Sequence, residues 1–65
     1  MIVLVHIPNY EHEDGTESPN TIQYENVLSI HKIVGNYVLE MLTIDNKIKT
    51  VVYNSEEVYI TVIWT

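Results

Sequence analysis

With 65 residues and no cysteine, this chain must be held folded by packing alone, by association with another copy of itself, or by both. A body of this size buries roughly 60% of its unfolded surface, so any core is thin. Disulfides, thiolate zinc sites and a thiol nucleophile are ruled out together. Small secreted folds usually depend on such staples, and their absence predicts a cytoplasmic protein. Apolar residues make up 46% of the chain while Gly and Pro number two each, which supplies the material for packed structure and argues against wholesale disorder. The apolar set contains neither Phe nor Ala and is rich in Val, Ile and Tyr. Branched and ring side chains suit a pleated, half-buried surface better than a helix. The expectation is one small all-β domain over residues 1–65.

The order of patterns along the chain predicts five strands. Met1 to Ile7 is a nearly continuous apolar run ending at Pro8. It carries no preceding basic segment and is too short for a signal peptide or a membrane span, so it reads as a strand. Ile2 and Leu4 would lie on one face and Val3, Val5 and Ile7 on the other, so both faces need cover. Asn9 to Asn20 reads as a twelve-residue loop, with four carboxylates, Gly15, Pro19 and no apolar period. Thr21 to Val34 reads as a long strand with a bulge near Asn26, where the alternation changes phase. Gly35-Asn36 fits a type II′ hairpin turn into Tyr37 to Ile44. Asp45-Asn46 offers a second two-residue connection into Lys47 to Tyr53. Asn54-Ser55-Glu56-Glu57 is a polar break that could form one short helical turn over 54–57. Val58 to Trp64 closes the chain, with Val58, Ile60, Val62 and Trp64 on one face.

Five antiparallel strands with these connections could close as a small barrel or roll of SH3-like layout, leaving few free edges. The competing architecture is α+β, with a helix at about 19–34 capped by Ser18, opened by Pro19 and ended by Gly35. The many branched residues in that segment and the lack of a clean polar stripe favour the strand.

Nine acidic residues face three lysines and no arginine, a formal charge of −6. Lys32, Lys47 and Lys49 cannot supply the cationic cluster that phosphate neutralisation needs, so direct nucleic-acid binding is not expected. Anionic membranes are disfavoured for the same reason. Candidate metal ligands are His6, His12 and His31 with Glu11, Glu13 and Asp14, but these match neither an EF-hand loop nor a His-x-x-x-His pair, and the acidic loop reads as solvated. His6, inside an apolar strand, reads as a hydrogen-bonded residue beside the core or at an interface. Ser29 and His31 would share a strand face but lack an orienting carboxylate at a readable distance. No cofactor, metal site or catalytic set is predicted, and the chain reads as a non-enzyme.

The aromatic residues carry the functional expectation. Tyr10, Tyr24, Tyr37, Tyr53, Tyr59 and Trp64 combine large apolar bodies with polar tips, a type enriched where proteins meet. The alternative is that Tyr simply replaces Phe in the core. The first and last strands, apolar on both faces, would expose contiguous apolar surface in a monomer, which points to a homo-oligomer. The reading is a non-catalytic protein–protein interaction module that self-associates and binds another protein. Its candidate binding residues are Tyr10, Tyr37, Tyr59 and Trp64 with Glu11, Glu13, Asp14 and Glu17. The alternative is an acidic inhibitor of phage or mobile-element type, imitating nucleic-acid charge in the basic cleft of a DNA- or RNA-binding protein.

Overall fold

A computed structural model describes residues 1–64. Among these residues there is no helix, and six strands carry the fold: β1 Ile2–Glu11, β2 Glu17–Tyr24, β3 Val27–Ile33, β4 Asn36–Leu42, β5 Ile48–Asn54 and β6 Tyr59–Ile63. They form two three-stranded antiparallel sheets, ordered β2-β1-β6 and β3-β4-β5. No barrel closes, because the edge strands of one sheet do not pair with those of the other. The all-β expectation holds, while the five-stranded closed barrel gives way to six strands in two open sheets. The helix at 19–34 is absent.

Each difference has a local cause. Thr21 to Val34 is not one long strand. Asn26 adopts a left-handed φ of 56°, and there the chain leaves the first sheet and enters the second. Asn is among the few residues that take this conformation cheaply. The bulge itself sits one step later, between Val27 and Ser29. The acidic segment is mostly strand: β1 continues to Glu11 and β2 begins at Glu17, leaving a short turn between them. Beyond His6, β1 has no β6 neighbour, so this part of the hairpin is a two-stranded ribbon with no deeply buried face. A ribbon of that kind needs no apolar alternation, which is why its sequence resembles a loop. Pro8 does not end β1. Pro8 and Asn9 stand opposite Pro19 where the register slips between Ile7 and Tyr10, a bulge that accommodates residues unable to donate ladder bonds.

The turns show equally specific chemistry. Val34 and Gly35 are the two central residues of the β3–β4 turn, with φ of 48° and 77° and Ile33 paired to Asn36. Two positive φ values define type I′, one residue earlier than the type II′ turn expected at Gly35-Asn36. The β4–β5 connection spans Ile44-Asp45-Asn46: the Thr43 amide donates to the Lys47 carbonyl at 2.8 Å, and Asn46 sits at φ 61°. The β1–β2 turn repeats this geometry through Glu13-Asp14-Gly15, with the His12 amide on the Thr16 carbonyl at 2.8 Å and Gly15 at φ 85°. Both are three-residue hairpin loops with a left-handed last residue. Residues 54–57 make a single β-turn rather than a helix. The Glu57 amide donates to the Asn54 carbonyl at 3.1 Å, and the Glu56 amide donates to Asn54 Oδ1 at 2.9 Å.

The core lies between the sheets. Val3 and Val5 from β1 meet Val27, Leu39 and Met41 from the second sheet, with Val58 at the β6 entry. Leu39, Val3 and Val5 are fully buried, and no polar side chain is buried among the described residues. One corner is tied by reciprocal bonds between Met1 and Val27, at 3.1 and 3.2 Å. No helix among the described residues is long and apolar enough to cross a membrane.

Candidate functional site

The two long sides of the sandwich differ. On one side Tyr24 from β2 and Tyr53 from β5 reach between the sheets, their hydroxyls hydrogen-bonded and their rings edge to face with centroids 6.3 Å apart. Burial, then the hydrogen bond that its hydroxyl makes to the Tyr24 oxygen, pushes the Tyr53 phenol well above its ordinary value. These two tyrosines fasten the sheets together and follow the core reading of the aromatic set.

On the other side the edges of β6 and β3 stand apart. Between them lies a groove of about 360 Å³ lined by Met1, Ile30, Tyr37, Ile60, Val62 and Trp64. Alternation places these side chains there: Ile60 and Val62 are the half-buried positions of β6, while Tyr59, Thr61 and Ile63 point outward. Trp64 extends the inward series past the strand end and stays 78% exposed. Tyr37 forms part of the floor, with the Lys32 ammonium 5.8 Å from its ring centroid. Among the described residues, no carboxylate lines the groove. Met1, Ile30, Ile60 and Val62 were not singled out as binding residues in the sequence. The grouping of Ile60 and Val62 with Trp64 on one strand face was the available signal.

The outer face of the first sheet carries a second apolar strip. Ile2 pairs with Ile63, and His6 with Tyr59. The His6 and Tyr59 rings stack at 4.6 Å, and both imidazole nitrogens have hydroxyl partners, Thr21 at 3.2 Å and Thr61 at 2.9 Å. His6 is thus a hydrogen-bonded surface histidine.

The carboxylates Glu11, Glu13, Asp14 and Glu17 gather at the tip of the β1–β2 hairpin, with Glu11 directly opposite Glu17. Tyr10 packs edge-on against His12 there, and His12 Nε2 is hydrogen-bonded to Ser18. Asp14 Oδ1 accepts bonds from the Thr16 hydroxyl at 2.6 Å and the Thr16 amide at 3.0 Å, which hold its pKa below the ordinary carboxylate value. The eight candidate binding residues therefore occupy three places: Tyr37 and Trp64 in the groove, Tyr59 on the outer face, and Tyr10 with the four acids on the hairpin. Among the described residues, no three His, Asp or Glu side chains converge as a metal site.

Comparison of the chain with protein-family models, with curated proteins and with solved structures finds no match in any of the three. The functional reading therefore stands on geometry.

Ser29 and His31 share the outer face of the second sheet with Glu40. Glu40 Oε1 accepts from the Ser29 hydroxyl at 3.2 Å and lies 3.6 Å from His31 Nε2. A nucleophilic triad needs the imidazole between hydroxyl and carboxylate. Here the carboxylate lies between the other two.

Proposed function

We propose that this chain is a non-catalytic protein-interaction module that self-associates and engages a second protein through its acidic hairpin. The observation that carries this reading is the open side of the sandwich, an apolar groove that no carboxylate of the described residues lines, with an exposed tryptophan at its rim. On a chain of formal charge −6, an acid-free apolar strip is where another surface can be buried without stranding a charge. Trp and Tyr, both present in this patch, are among the side chains that most often dominate binding energy. The hairpin supplies the complementary element, since its four carboxylates would steer a basic partner.

Sedimentation velocity tests the self-association. The wild-type chain is expected above its monomer mass of 7.6 kDa at micromolar concentration, and Trp64→Ala should shift it towards the monomer. A single monomeric species at millimolar concentration overturns the reading. The clustering of Glu11, Glu13, Asp14 and Glu17 on one arm also favours a second reading, in which that arm imitates nucleic-acid charge inside a basic cleft. That mode would lose affinity steeply as salt rises, whereas self-association through the apolar groove would not weaken.

A further inference from the structure

The four sheet edges are not equivalent. β2 carries Glu17 and Pro19, β5 carries Lys49, and β3 carries Lys32 and a bulge between Val27 and Ser29. Charges, prolines and bulges are the devices that stop one edge from pairing with another chain. β6 has none of them. Its sequence is Tyr59-Ile60-Thr61-Val62-Ile63, uncharged and rich in branched residues, paired to β1 in unbroken register from Ile2 to His6. Its other side faces solvent with its backbone groups unpaired, next to the groove.

We propose that two copies join edge to edge through β6, antiparallel about a twofold axis centred on Thr61, merging the two β2-β1-β6 sheets into one six-stranded sheet. This rests on the self-association proposed above and names how it is achieved. The strand is self-complementary in this register. Thr61 meets the partner's Thr61, Ile60 meets the partner's Val62 on the inward face, and Tyr59 meets the partner's Ile63 on the outward face. Facing residues in an antiparallel pair share a face, so apolar meets apolar on the groove side, and an aromatic meets a branched residue on the other. The open flank of each groove gains a wall, and Trp64 is covered. Charge selects the same surface: two chains of formal charge −6 repel, and among the described residues neither β6 nor the groove lining contributes a carboxylate to the contact. An isologous contact closes at two subunits, as a twofold requires.

The absence of cysteine makes a clean test possible. Thr61→Cys places one thiol on each copy at the axis, where paired residues come within disulfide reach. Mild oxidation is expected to convert most of this variant to a covalent dimer. Val52→Cys, also exposed but on the outer face of the second sheet, should stay largely uncrosslinked. Thr61→Lys should sediment as a monomer with the wild-type circular dichroism spectrum, since it guards the edge with charge. If the wild-type chain is monomeric, both the self-association and this inference fail. If it associates but Thr61→Cys crosslinks no faster than Val52→Cys, or Thr61→Lys sediments like wild type, the β6 contact is wrong while self-association stands. A mass that keeps growing with concentration, rather than levelling at the dimer, would place β6 against the β3 edge of the next copy and overturn the twofold.

Discussion

Val34 is the most strained residue the backbone reveals. It sits at φ 48° in the first central position of a type I′ turn, and a branched side chain crowds the carbonyl in that conformation. It is 94% exposed, so its side chain gains nothing in return. The type I′ turn favours Asn-Gly, and the second position here is already Gly35. Val34→Asn is therefore expected to stabilise the fold by about 1 kcal/mol, raising the thermal midpoint by several degrees in a domain of this size. A midpoint unchanged or lowered by this substitution would mean that residue 34 does not hold a left-handed backbone. The presence of a hairpin at this point was readable from Gly35 between two apolar runs. Its phase was not, because the rule that Val avoids positive φ is overridden by the pairing of Asn36 with both Ile33 and Asn54 and by the Ser55 amide on the Gly35 carbonyl at 2.9 Å.

At the scale of elements, strand identity and inward faces were legible wherever a strand has one sheltered side. Val3 and Val5 in β1, and Ile60 and Val62 in β6, lie inward as their alternation requires. What the pattern could not reveal is the arm of the first hairpin, where no sheltered side exists, and the change of sheet at Asn26, which costs only one left-handed residue. The partition of the tyrosines was partly hidden: alternation sets Tyr59 on the face opposite Ile60, but Tyr24 and Tyr53 differ from Tyr37 only in which strands come to face each other. The Tyr24–Tyr53 contact spans the two sheets and makes its own prediction. With the Tyr53 phenol raised, the folded chain keeps this proton while the unfolded chain begins to lose it near pH 10. The unfolded state then binds fewer protons than the folded one, so stability present below pH 10 is lost as pH climbs beyond it. Tyr53→Phe should cost about 1 kcal/mol at neutral pH through the lost hydrogen bond. Thermal melts from pH 8 to 11 should show the variant declining less steeply, so that the gap to wild type narrows. Parallel curves across that range would remove Tyr53 as the source of alkaline sensitivity.

For the whole molecule, the distribution of charge sets two surfaces against each other. Acid concentrates on the β1–β2 arm, at Glu11, Glu13, Asp14 and Glu17, while among the described residues β6 and its groove are free of it. In the proposed dimer, copies of the chain would repel at long range and attract only at short range, through apolar contact and strand pairing. Salt shortens the reach of the repulsion from about 10 Å at 0.1 M to about 3 Å at 1 M while leaving apolar burial intact. Self-association should therefore tighten several-fold between 0.05 and 0.5 M sodium chloride, read as a falling dimer dissociation constant by sedimentation equilibrium. A basic partner held by the arm should respond in the opposite sense, because the same ions screen an attraction. Replacing the four arm carboxylates with their amides separates the two: dimerisation should then strengthen even at low salt and lose most of its ionic-strength dependence, because part of the repulsion is gone. Dimerisation that weakens as salt rises would place charged groups inside the contact, which the composition of β6 does not allow.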